Sequence, residues 1–129
     1  MRWLVDGMNV LASRPDGWWR DRAAARRRLV AELAAMHRRT AEPVVVVFDG
    51  RLRAEEVEEG EAAGLEVRFA GGGPGAADDM IAAMAASLDE PSTTTVVTSD
   101  ADLRRRVVAT GVAVVGAGSF RRRIDAPGS

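Results

Sequence analysis

Short apolar runs alternate with longer, alanine-rich stretches along this chain, and the two kinds differ in period. Five runs gather β-branched or apolar residues into blocks of four or five: residues 2–5 (RWLV), 44–48 (VVVVF), 65–69 (LEVRF), 95–98 (TVVT) and 112–115 (VAVV). Such blocks predict β-strands. VVVVF is apolar at every position, as a strand covered on both faces must be, whereas LEVRF alternates and belongs nearer a sheet edge. Residues 20–39, 53–63, 77–88 and 100–109 instead repeat their apolar positions at three- and four-residue spacing, which predicts helices. Pro43, Gly64, Pro91 and Gly111 fall at the expected stops between these elements. Alternation of strand and helix predicts an α/β fold with a mainly parallel, doubly wound five-stranded sheet of order 3-2-1-4-5.

Composition narrows the class. The 129 residues suit one domain, expected over 1–125, with residues 126–129 (APGS, after Asp125) as a flexible tail. Apolar residues make up 47% and charged residues 29%, a globular balance. No cysteine is present, so disulfides and thiolate metal sites are excluded, and with His37 the single histidine, carboxylates are the plentiful metal ligands. No apolar run is long enough to cross a bilayer and no signal-like segment follows Met1, so no membrane is expected and the chain reads as cytoplasmic. All 18 basic residues are arginine, which excludes a P-loop lysine or a Schiff base. The net charge of −1 leaves any attraction to nucleic acid to local arrangement.

Placed on this map, the aspartates form a pattern. Asp6 follows the first strand, Asp49 the second, and Asp100 with Asp102 the fourth. In the order 3-2-1-4-5 those strands are neighbours, and ligands bind beyond their carboxyl ends where the winding reverses. The crossover from the third strand to the fourth passes over the same point and brings Asp78 and Asp79 toward it. Unpaired carboxylates about 4 Å apart repel by roughly 4 kcal/mol at an effective dielectric near 20, so such a cluster calls for a cation or shared protons. Magnesium or manganese is the natural solution, and a metal-held water can then attack a phosphodiester. Helix capping is the plainer role for Asp100 or Asp79 taken singly. Asn9, in VDGMN, sits where a tight turn at Gly7 would aim it back at Asp6 or at a phosphate.

Four segments, VDGMN (5–9), VVVVFDG (44–50), AADDMI (76–81) and TSDADL (98–103), together resemble the NYN branch of the PIN-like nucleases, and most of all the bacterial YacP-like ribonucleases. The resemblance runs in order along nearly the whole chain, with Met8 where these proteins often have tyrosine. It implies a Rossmann-like (PIN-like) three-layer domain. It also implies metal-binding, catalytic acids at Asp6, Asp49, Asp78 and Asp100, with Asn9, Asp79 and Asp102 in support, Mg2+ or Mn2+ as cofactor, and hydrolysis of RNA by an endoribonuclease. The expected partner is RNA, single-stranded or structured; association with the ribosome and a homodimer both stay open. The alternative is a non-catalytic RNA- or protein-binding module that keeps the acids. A phosphatase of the haloacid-dehalogenase or receiver type would need an Asp-x-Asp or a catalytic lysine after an early strand, and neither is there.

Arginine triplets at 26–28, 104–106 and 121–123 offer phosphate contacts, although most such runs are solvated faces. Arg104 and Arg105, just after Asp100, and Arg121 and Arg122, near the terminus, are the candidates. Trp18 and Trp19, between Arg14 and Arg20, could stack an unpaired base or pack under the first helix. Trp3 reads as core. His37 suits the carboxyl end of its helix. The segment AGGGPGA (70–76) lacks the spacing of a nucleotide-binding loop, and the run from Glu55 to Glu61 reads as a solvated face.

Overall fold

A computed structural model describes residues 1–125 of the protein, so the tail expected at 126–129 lies outside the described residues. Five parallel strands form one sheet: β1 (Arg2–Asp6), β2 (Val44–Phe48), β3 (Glu66–Phe69), β4 (Thr94–Val97) and β5 (Ala113–Val115). Their spatial order is β3-β2-β1-β4-β5, the doubly wound order that the alternation predicts. Every residue of β2 is buried, and β3 is an edge strand.

Period two in the strands divides the core. Trp3 and Val5 of β1 and Val44, Val46 and Phe48 of β2 face one side; Leu4, Val45 and Val47 face the other. The first side is covered by α1 (Gly7–Ala12), α2 (Arg22–Thr40), α3 (Ala54–Ala62) and α6 (Ala117–Asp125), the second by α4 (Ala76–Ala86) and α5 (Ala101–Val108). Helix–sheet–helix is therefore the layering. Among the described residues no helix is long and apolar enough to cross a membrane.

Two helices differ from the sequence reading. Residues 7–12, of which Gly7 to Asn9 read as a tight turn, form α1, and residues 117–125 form α6, for which no helix was expected. Gly7 is needed for close approach rather than for a turn: a Cβ there would lie 2.5 Å from ring carbons of Phe48. In α6, Phe120 and Ile124 bury a stripe against β1 and α2 at four-residue spacing. The acidic helix α3 is not a purely solvated face either. Glu56 is buried in a two-fold hydrogen-bonded pair with Arg26 of α2, at 2.7 and 2.8 Å, and Arg27 meets Glu59 beside it.

Candidate active site

β1 ends in Asp6, which is only 5% exposed and caps α1 by accepting from the Asn9 backbone N–H at 3.4 Å. Its other carboxylate oxygen accepts from the Thr98 hydroxyl at 3.0 Å. Thr98, 1% exposed at the end of β4, in turn accepts from the Asp100 N–H at 3.1 Å. One buried hydroxyl therefore ties the acid after β1 to the acid after β4. Asp100 caps α5, accepting from Leu103 N–H at 2.9 Å, which is the plain capping role, but the cap also fixes the carboxylate at the sheet edge.

Asp49 follows β2 and is exposed. The glycine-rich loop after β3 pairs with the residue beside it: Gly50 and Gly71 exchange backbone hydrogen bonds at 3.0 and 2.8 Å, both with left-handed φ. This short bridge leads the chain from β3 into α4, whose first turn carries Asp78 and Asp79 where helix N-termini favour negative charge. The segment AGGGPGA, no nucleotide loop, is thus the strap that holds Asp49 beside α4.

Burial and neighbouring charge act unequally on these acids. Burial pushes the Asp6 carboxyl up to about 6, against hydrogen bonds from Thr98 and Asn9 that lower it, and the negative charges of Asp78 and Asp49 add to the rise. Asp78 is also raised, by burial first, then by Asp100 and Asp49, with Arg106 opposing and Asp79 adding. Asp78 is therefore the common neighbour at the carboxyl edge of β2, β1 and β4: Asp6, Asp49 and Asp100 each come within its electrostatic reach, and Asp49 also within that of Asp6. As the side chains stand, no group of three among the described residues is gathered closely enough to hold an ion. In kind the donors fit a hard divalent ion: all are carboxylate oxygens, and the buried one is held above its ordinary pKa by burial and by its neighbours' charge.

Asn9 directs its side chain elsewhere than expected. Its amide oxygen accepts from the Ser99 N–H at 2.7 Å, while the Ser99 hydroxyl accepts from the Ala117 N–H at 2.8 Å, so α1, the loop after β4 and α6 are pinned together. Asp79 pairs with Arg106 at 2.9 Å. Asp102 stands exposed with Arg105 as its ion partner and is not among the main charges acting on Asp6 or Asp78. Of the arginines at 104–106, Arg104 is exposed, Arg105 is tied to Asp102, and Arg106 is the one that reaches the acidic group.

Arg121 corrects the sequence reading. Arg121 is buried, its guanidinium bonded to both oxygens of Glu32 at 2.9 and 3.0 Å across the α2–α6 contact, so it is not presented to a phosphate. Arg122 bonds Ser119, and its neighbour Arg123 lies over Trp3, near the amino end of β1. That half of α6 points away from the acid edge. Trp3 is core as expected, packed on Phe120, and the His37 ring bonds the Glu42 carbonyl at 2.8 Å. Trp18 packs partly into the core while Trp19 stays exposed. Thr98 and Ser99 are the residues that sequence reasoning missed, although TSDADL contained both; Arg106 belongs to the triplet read as a source of phosphate contacts.

A cavity of about 880 Å3 lies at the other end of the sheet, between His37, Leu65, Met80, Met84 and Thr94. Its lining is mostly apolar and includes none of the four acids, which stand at the carboxyl edge, where doubly wound sheets bind their ligands.

Residues 3–128 match the YacP-like NYN domain. The chain belongs to that family. The YacP-like NYN fold is also what similar solved structures show. A crystal structure of a mutant of Rae1 (YacP) from Bacillus subtilis is 25% identical, with a TM-score of 0.77 over 97% of this chain and 76% of that one. A second crystal structure of Rae1 (YacP) from the same organism, 23% identical with a TM-score of 0.73, covers 97% of this chain and 74% of its own. No curated protein sequence matches significantly. Membership places this YacP-like domain in the PIN-like, nuclease-type superfamily.

Proposed function

We propose that this YacP-like domain is a divalent-metal-dependent endoribonuclease. The observation that carries the reading is the buried carboxylate of Asp6, pushed up to about 6 by burial and by the charges of Asp78 and Asp49 at the meeting point of three strand ends. A cluster of this kind destabilises itself unless a cation or a proton neutralises it. Asp6, Asp49, Asp78 and Asp100 would hold magnesium or manganese. When bound, the ion would supply a water of lowered pKa and stabilise charge on the phosphodiester oxygens.

The chain's own groups orient the rest. Thr98 fixes Asp6 relative to Asp100, and Asn9 holds the loop that carries Asp100 through Ser99. Arg106, paired with Asp79 beside the acids, would offset phosphate charge. The spread of the acids, no three of which close round one ion as they stand, favours the second reading, a non-catalytic RNA- or protein-binding module.

Cleavage of a labelled single-stranded RNA in millimolar manganese or magnesium separates the two. The unmodified chain should cut it, EDTA should stop the reaction, and Asp6→Asn or Asp100→Asn should each lower the rate at least about a hundredfold, equivalent to roughly 2.7 kcal/mol of transition-state stabilisation. Undiminished cutting by both variants would remove the acids from the mechanism. No cutting by the parent chain would leave the binding module.

A further inference from the structure

We propose that the segment from Trp18 to Arg22 is a docking platform for one unpaired base of a single-stranded polynucleotide, with Trp19 stacking the base and Arg20 and Arg22 meeting its flanking phosphates. The identity of the ligand as a polynucleotide rests on the ribonuclease reading; the platform itself rests on the exposure and fixing of one ring, the charges beside it and its place in the fold.

Trp19 is 49% exposed, one of few large apolar side chains left open among the described residues. Its ring is nevertheless held in place. Trp18, anchored partly in the core, meets it edge-on at 87° with centroids 6.0 Å apart, and the Arg20 guanidinium lies 5.8 Å from its centroid. A large ring whose orientation is fixed before binding loses little freedom when a base stacks on it.

The charges of the segment are sorted. Asp16 is taken by Arg28, Asp21 by the Ala24 N–H at the start of α2, and Arg14 by Asp125. Arg20 and Arg22 meet indole rings and, among the described residues, no carboxylate. Two cations beside an open aromatic face are complementary to a phosphate–base–phosphate unit.

Position joins the segment to the acid edge. α2 ends just ahead of β2, so its carboxyl end lies at the amino edge of the sheet and its start points the other way. Its 19 residues span about 28 Å at 1.5 Å each. The five residues of β2 span only about 16 Å. The start of α2 therefore reaches the carboxyl edge, where Arg26 lies over Phe69 at the end of β3, and the short helical turn Trp18–Arg20 leads into that start. A duplex stacks its bases inward and offers none to such a ring, so the platform selects single strands.

The test is binding of a fluorescein-labelled RNA of about 12 nucleotides, a length within the usual single-strand site sizes, either alone or annealed to its complement. Anisotropy is followed in EDTA so that metal-dependent turnover does not intervene. Trp19→Ala should weaken the single strand about tenfold, Trp19→Phe should keep most of the affinity, and the duplex should respond to neither. Arg20→Ala with Arg22→Ala should flatten the salt dependence of single-strand binding by about 1.4 units of slope. Equal affinity of Trp19→Ala and the parent for the single strand, an equal loss for the duplex, or no binding of the single strand by the parent would overturn the platform. Trp19-dependent binding by a chain that never cuts RNA would sink the ribonuclease reading alone, and cutting that ignores Trp19 would sink the platform alone.

Discussion

Asp6 concentrates the chemistry of this molecule in one carboxyl group, and its titration should be visible in stability. An unfolded aspartate has an ordinary pKa of 3.8, whereas burial and the neighbouring acids raise Asp6 to about 6 in the fold. Between those values the native state binds the proton more tightly than the unfolded state does. The stabilisation is fully present below the unfolded pKa and is lost as pH rises through about 6, and a rise of this size is worth about 3 kcal/mol. Metal-free protein in EDTA should therefore melt at a higher temperature at about pH 5 than at about pH 7.5, with Asp78 contributing in the same direction. Asp6→Asn, neutral throughout, should remove most of that slope. A parent chain whose melting temperature rises between those two pH values by as much as the variant's would contradict the origin assigned to the raised pKa. At this scale the sequence revealed the acids but not their fastening. Asp6, Asp49, Asp78 and Asp100 could be placed because each follows or opens a recognisable element. Thr98 could not, since an uncharged residue at the end of TVVT differs in nothing from a strand residue until its hydroxyl is seen between Asp6 and Asp100. Arg121 misled for a similar reason: its partner, Glu32, lies 89 positions away.

At the scale of elements, the strands and the helices α2 to α5 were readable because each keeps one period over enough residues. α1 and α6 were not. α1 begins on the residue after β1 and has six residues, too few to show a period, and three consecutive arginines in α6 mask its two apolar anchors, Phe120 and Ile124. The run from Glu55 to Glu61 misleads because a carboxylate looks the same in water and in an ion pair. The Arg26–Glu56 pair that joins α2 to α3 has side chains only 7% and 9% exposed, and Arg26 also lies 5.7 Å from the ring centroid of Phe69. The arginine holds the Glu56 carboxyl below its ordinary value, against the opposing effect of burial. Removing one partner leaves the other charge buried, so Glu56→Ala should cost about 3 kcal/mol in a denaturant melt. The double variant Arg26→Met with Glu56→Leu, which removes both charges and keeps the volume, should recover most of that loss. If it were no more stable than Glu56→Ala, the pair would be contributing more than mutual neutralisation.

Over the whole molecule, the doubly wound order converts local sequence into a shared site. β2, β1 and β4 lie side by side only because the chain reverses its winding at β1, and α4 must then cross β1 and β2 to reach β4, carrying Asp78 over the gap. The acids therefore come from segments that have no contact in the unfolded chain, and an ion held by them binds the native state far better than the unfolded one. Such a ligand stabilises by about 2.7 kcal/mol at a hundred times its dissociation constant. Manganese at saturating concentration should then raise the melting temperature by several degrees at about pH 7.5, and EDTA should reverse the rise. The pH dependence supplies the stricter check. Binding requires Asp6 to ionise, so the metal-induced rise should shrink toward about pH 5, opposite in sign to the stability slope of the metal-free protein. Asp78→Asn and Asp49→Asn should each reduce the rise, whereas Asp102→Asn, which alters an exposed ion pair outside the acidic group, should leave it intact. A manganese effect of equal size at the acidic and the neutral pH, or one unaffected by Asp78→Asn, would mean that the cation binds elsewhere on the surface and that the meeting of strand ends does not create the site.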